Sequence, residues 1–155
     1  MSIVEKKLSE IGIVLPEAPV PVAAYIPACT AIDRLVFVSG QDCRKDGKLL
    51  YEGKLGEELT LEQGKACARQ SILNCLAALK SEIGSLDRVK RIVKVNGYIV
   101  GSPEFDQQPY VLNGASELLV EVFGDAGKHA RAALGIYRLP FGTPIEIEMI
   151  VELKD

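Results

Sequence analysis

Apolar positions recur with a period of two in five stretches of the chain and with helical spacing in three, and this alternation predicts the elements. Residues 22–28 and 34–39 read as two strands, with a turn at Ala31, Ile32 and Asp33 between them. Residues 88–100 read as a third strand, in which Val89, Val93, Val95 and Ile99 are interleaved with Lys90, Lys94 and Asn96. Residues 129–137 and 145–153 complete the set. In the first of these two, His129, Arg131, Ala133, Gly135 and Tyr137 share one face, and Ala130, Ala132, Leu134 and Ile136 share the other. In the second, Ile145, Ile147, Met149, Val151 and Leu153 form an unbroken apolar face opposite Glu146, Glu148, Ile150 and Glu152.

The strongest helical stretch opens at Thr60. Thr60 and Gln63 stand at capping-box spacing, Ala68, Ile72, Cys75, Leu76, Leu79 and Ile83 follow as a stripe, and Gly84 supplies the stop. Ser102 and Pro103 predict a further helix start that breaks before Pro109. Residues 110–123 then continue as a second long helix, with Leu112, Ala115, Leu118, Leu119 and Val122 as its buried stripe and Gly124 at its end. Residues 2–11 read as a short amphipathic helix, and residues 15–21, with three prolines, as an extended connector. Residues 42–58 are polar and carry Gly47, Gly53 and Gly56, which predicts a surface loop around a short strand at 49–51, with a lid over a site as the alternative.

Taken in order, these elements predict an α+β domain with both long helices on one face of a sheet. A single domain is expected, residues 1–20 forming an N-terminal helix and connector and residues 21–155 the core. Proximity in sequence pairs the last two strands as a hairpin, although residues 139–144 lack the two-residue turn signature.

Composition narrows the function classes. With 18 basic and 21 acidic residues the net charge is −3, which offers no basic footprint for nucleic acid and no polybasic run for a membrane surface. Cys29, Cys43, Cys67 and Cys75 are widely spaced, with no Cys-x-x-Cys pair and a single histidine, so neither a zinc site nor a thioredoxin-type motif fits. Charges stand at the N-terminus where a signal peptide needs an apolar core, and no apolar run approaches the roughly 18 residues of a membrane span. The expectation is a cytoplasmic protein with reduced thiols.

Candidate chemistry gathers in the last quarter of the chain. An arginine among small residues on one strand, with carboxylates on a strand close by, suits the binding and processing of a small anion. The guanidinium fork grips a carboxylate with two parallel charge-assisted bonds, a geometry that lysine does not hold. Such an arginine is otherwise a solvated or salt-bridged strand residue. His129 points the same way as Arg131, as an acid-base group or as an exposed or structural residue.

Ala130-Arg131-Ala-Ala-Leu-Gly-Ile-Tyr-Arg138-Leu139-Pro140, followed by Ile145-Glu146-Ile-Glu148, resembles the C-terminal signature of the RidA (YjgF) family of enamine/imine deaminases. Val36-Phe-Val-Ser39-Gly40-Gln41 is similar to that family's strand ending in Ser-Gly-Gln, and the matching pieces run from about Pro21 to Glu152. Where the best-known members have Pro-Ala-Arg-Ser-Cys this chain has His129-Ala-Arg131-Ala-Ala133. With a longer 42–58 excursion and an added N-terminal helix, it looks like a longer branch.

The resemblance implies a chorismate-mutase-like fold whose last strand inserts centrally, and a homotrimer with ligand clefts at the subunit interfaces. It implies Arg131 as the carboxylate clamp and Glu146 as the glutamate that acts near the reacting carbon through a water, with Glu148 a less favoured substitute. It also implies Tyr25, Ser39, Asn113 and a backbone N–H near Ala133 as ligand contacts. Their plainer readings are core packing for the tyrosine, a strand-end hydrogen bond for the serine and a solvated helix position for the asparagine.

The implied reaction needs no cofactor or metal: hydrolysis of enamine or imine intermediates, such as those released by pyridoxal-phosphate enzymes, to 2-oxo acids and ammonia. Two rivals stand beside it. One is a ribonuclease or translation inhibitor, an activity also attributed to the family. The other is a non-catalytic small-ligand binding module that uses the same pocket.

Overall fold

A computed structural model describes residues 1–155. Seven strands form, β1 (Ala28–Ala31), β2 (Leu35–Gln41), β3 (Arg44–Lys45), β4 (Lys48–Leu49), β5 (Val89–Val100), β6 (Ala130–Ile136) and β7 (Ile145–Leu153). Three α-helices join them, α1 (Ile3–Glu10), α2 (Leu61–Ile83) and α3 (Gln108–Phe123). The main sheet has the order β1-β2-β7-β5-β6, antiparallel except for the parallel β5/β6 pair, and β3 and β4 make a separate small hairpin.

Each long element forms for local reasons. Thr60 caps α2 with its hydroxyl while the Gln63 side chain returns to the Thr60 N–H, and Gly84 ends the helix at φ +83°. Helix α1 carries a second capping box at Ser2 and Glu5. Its first turn is docked onto the body by the Asp87 carboxylate, which accepts from the Ile3 and Val4 N–H groups at 2.9 and 3.0 Å. Both α2 and α3 cover the face of the sheet formed by Ile145, Ile147, Met149, Val151 and Leu153 on β7 and by Ile92, Val95 and Ile99 on β5. The opposite face has no helix over it. It presents Phe37, Leu134 and Ile150 beside Glu146, Glu148 and Glu152.

Four expectations are corrected. The last two strands are not the hairpin that proximity suggests: β7 inserts between β2 and β5, the central place the family resemblance implies, and β6 lies at the edge, parallel to β5. The apolar face of β7 explains its position, since a strand so continuously hydrophobic on one side is best buried between neighbours. The strand expected at 22–28 begins only at Ala28, because Pro21 and Pro27 remove ladder donors from the stretch before it. The short strand expected at 49–51 is instead the β3/β4 hairpin, turned at Asp46 and Gly47, both at positive φ. Finally, Ser102 does not start a helix. Residues 102–107 are irregular, and α3 begins at Gln108 with Pro109 in the first turn, where the missing donor costs nothing.

Candidate functional site

Residues of one row across the sheet point to one face. Arg131 on β6 pairs with Val95 on β5, and Val95 pairs with Met149 on β7, so Arg131 faces the helices. Ala133 pairs with Gly97 and lies on the same side. Helix α3 presents Asn113 and Ser116 to this edge. Arg131 Nη1 donates to Asn113 Oδ1 at 2.9 Å and to Ser116 Oγ at 3.1 Å, and Nη2 donates to the Pro109 carbonyl at 3.2 Å. A guanidinium has five N–H donors. The chain uses three of them, and the two left lie on Nε and Nη2, neighbouring atoms suited to a two-point grip on a carboxylate.

Glu146 pairs with Tyr98, and Tyr98 with Leu134, which puts the carboxylate on the open face. It lies in a cavity of about 1200 Å³ at the N-terminal end of β7, together with Tyr25, Ser39, Gly40, Asp42 and Glu148. Burial, then the Asp42 and Glu148 charges, push its carboxyl above the ordinary carboxylate range. Glu148 is committed elsewhere: it accepts from the Tyr98 hydroxyl at 2.6 Å and from Asn96 Nδ2 at 3.2 Å. That carboxylate in turn pushes the Tyr98 hydroxyl up to about 12. Of the two glutamates, Glu146 is the one free to hold a proton or a water.

The sequence-derived residues therefore fall into two groups within one chain. Arg131, Asn113 and Ala133 meet on the helix side at the β6 edge. Tyr25, Ser39 and Glu146 meet around the cavity at the N-terminal end of β7. The Ser39 hydroxyl donates to the Ile26 carbonyl at 2.6 Å, the strand-end bond anticipated as its plainer role, and Tyr25 stays exposed.

Two further sets were not anticipated. Ser116 joins the arginine cluster, and its spacing of three from Asn113 on a helix was the available signal. Gln41 and Gln70 line the cavity while 8% and 9% exposed, and Gln70 Nε2 donates to Asn74 Oδ1 at 3.1 Å. Asn74 itself ties the β3/β4 hairpin to α2 by donating to the Asp42 and Arg44 carbonyls, both at 2.9 Å. No three His, Cys, Asp or Glu side chains are grouped to hold a metal ion. No helix is long and apolar enough to cross a membrane.

A five-stranded mixed sheet with its C-terminal strand at the centre and two helices on one face is a chorismate-mutase-like α+β domain, here with a half-buried arginine, hydrogen-bonded to α3, at its edge. Residues 5–153 match the family described as "YjgF/chorismate mutase-like, putative endoribonuclease", and the chain belongs to that family. It is 41% identical over 154 residues to Protein TCP17 of Trypanosoma cruzi, covering 98% of this chain and 95% of that one. A crystallised Agrobacterium tumefaciens protein of unknown function is 37% identical, with a TM-score of 0.91 over 98% of this chain and 94% of the other. One from Shewanella oneidensis is 34% identical, with a TM-score of 0.93 over 97% and 99%.

Proposed function

We propose that this protein hydrolyses reactive enamine and imine intermediates to 2-oxo acids and ammonia, without a cofactor, at sites formed between copies of the chain. The observation that carries this is Arg131, fixed by three hydrogen bonds and left with two adjacent donors free. A donor pair fixed in advance binds a carboxylate at a low ordering cost.

The second reacting group, Glu146, lies on the opposite face of the sheet, so a single chain does not offer both groups to one small substrate. In a homotrimer, Arg131 and Asn113 of one copy face Tyr25, Ser39 and Glu146 of the next. The open sheet face, with Phe37 at 45% and Leu134 at 50% exposure, supports burial against further copies. The expected assembly is three chains of 16.8 kDa.

The chemistry follows from these positions. With the carboxylate on Arg131, the enamine takes a proton from solvent at its β-carbon and becomes the protonated imine. Water held by Glu146 adds to the imine carbon and gives its proton to the carboxylate. That proton passes to the nitrogen of the carbinolamine, the C–N bond breaks as the hydroxyl gives up its proton to solvent, and ammonia leaves the 2-oxo acid. A carboxyl group with a raised pKa suits both halves of this transfer. Because such intermediates hydrolyse slowly in water unaided, positioning and proton transfer suffice.

The test couples a threonine or serine dehydratase to the protein and follows decay of the 2-imino acid by semicarbazide trapping. Accelerated decay that disappears with Arg131→Ala is the expected result. Unchanged decay, with tight binding of 2-oxo acids, would make the protein a binding module.

The family description raises RNA cleavage as a second activity. Asp42, Glu146 and Glu148 line the cavity and the net charge is −3, a combination that repels a phosphate backbone. Micromolar, salt-dependent RNA binding would favour it over the deaminase.

A further inference from the structure

The chain has one histidine, and both of its ring nitrogens are engaged beside the arginine clamp. His129 Nδ1 lies 2.6 Å from the Gly127 carbonyl oxygen. A carbonyl only accepts, so Nδ1 carries the proton and the neutral ring presents a lone pair at Nε2. Ser116 Oγ lies 2.9 Å from Nε2, and the hydroxyl therefore donates to the ring. Its own lone pairs are then left for Arg131 Nη1, which donates to Oγ at 3.1 Å. Donation runs in one direction, from Arg131 to Ser116 to His129 to the Gly127 carbonyl.

The serine needs such a partner. Mid-helix serines can also donate to the carbonyl one turn back, here that of Leu112, which competes with donation to the ring. His129 supplies a competing acceptor that holds the hydroxyl toward the strand. The surroundings keep the ring in the required neutral form: burial, and after it the Arg131 charge, lower its pKa, with the Gly127 bond acting in the opposite sense. Arg131 from β6 is the charged group that faces the ring, while α3 offers the neutral Ser116 and the turn after α3 offers the Gly127 carbonyl.

We propose that His129, through Ser116, is the positioning residue that orients the Arg131 guanidinium for carboxylate binding; this rests on the assignment of Arg131 as the carboxylate clamp. It gives the histidine a role distinct from acid-base catalysis, since neither ring nitrogen is left to reach a substrate. Asn113 holds Nη1 and the Pro109 carbonyl holds Nη2, and Ser116 supplies the second acceptor on Nη1.

The test uses the full-length protein, 2-oxobutyrate as probe, and calorimetry on wild type, Arg131→Ala, Ser116→Ala, His129→Leu and His129→Gln. Loss of one oriented charge-assisted bond predicts about ten-fold weaker binding in Ser116→Ala and His129→Leu. His129→Gln, whose amide oxygen reaches toward the place of Nε2, restores most of it. In the coupled deaminase assay the same variants raise KM and leave kcat near wild type, which a general loss of structure does not do. The lone imidazole also gives an unambiguous 15N spectrum, expected to show Nδ1 protonated and Nε2 bare. His129→Leu binding as tightly as wild type, while Arg131→Ala does not bind, overturns the positioning role alone. Wild-type protein that binds no better than Arg131→Ala overturns the carboxylate clamp, and the positioning role with it.

Discussion

Arg131 and Glu146 point to opposite faces of the same sheet: Arg131 stands in the row with Val95 and Met149, and Glu146 in the row with Tyr98 and Leu134. A site that uses both must take them from different copies, and subunit mixing tests this directly. Arg131→Ala and Glu146→Gln are each expected to be inactive alone. Co-assembled at equal amounts, about a quarter of the interfaces pair an intact arginine with an intact glutamate, so about a quarter of wild-type activity returns. No recovery in verified mixed trimers would place both groups in one chain's site and rule out the shared cleft.

The raised pKa of Glu146 has opposite consequences for activity and stability. A base must be ionised, so the proposed reaction predicts an acid limb of kcat/KM above the ordinary glutamate value of 4.5. For stability, a carboxyl whose pKa is higher in the folded state binds its proton more tightly there. It favours folding at low pH and opposes it once pH rises past the folded pKa. Glu146→Gln should therefore raise Tm at neutral pH and leave it unchanged near pH 4. A Tm that falls at neutral pH would mean the carboxylate is held by favourable contacts.

Gly40 fixes where that carboxylate rests. A Cβ added at Gly40 would stand 2.8 Å from both Cδ and Oε1 of Glu146. The far end of a flexible side chain gives way at small cost, so Gly40→Ala should fold normally with the carboxylate displaced. A shift on the ångström scale predicts a loss of kcat of about 10- to 100-fold with little change in Tm. Retained kcat would show that Glu146 does not act from the position described.

The sequence was legible wherever local chemistry decides. Thr60, Gln63 and Gly84 mark α2 at both ends, and the alternation along β7 identifies its buried face residue by residue. Strand order was not legible from spacing, because a connection such as 139–144 allows either a hairpin or a crossover and only tertiary burial chooses. The Asp46-Gly47 turn lies in a polar stretch too short of apolar residues to mark the strands it joins. Facing was legible only within a strand: the period-two rule placed His129 with Arg131, but the relation between Arg131 and Glu146 depends on register across two strands. The hydrogen bond that ties Ser116 to His129 joins α3 to the residue before β6, a contact that no local pattern reports.

The crossing of α2 and α3 backs the arginine cluster, and Gly114 packs there against the Lys65 backbone. A Cβ at Gly114 would overlap the Lys65 backbone carbonyl on α2, which cannot rotate aside. At Gly97 on β5 an added Cβ would instead meet the Leu112 side chain, at 2.6 Å, which has other rotamers. Gly114→Ala should therefore cost about 1–3 kcal/mol by forcing the helices apart, and Gly97→Ala less. Asn113 and Ser116 flank Gly114, so moving α3 outward also draws both acceptors from Arg131. Gly114→Ala should then weaken 2-oxo acid binding in protein that is still folded, while Gly97→Ala lowers Tm without that loss. Equal binding by both variants would show that α3 can yield at this crossing without disturbing the clamp.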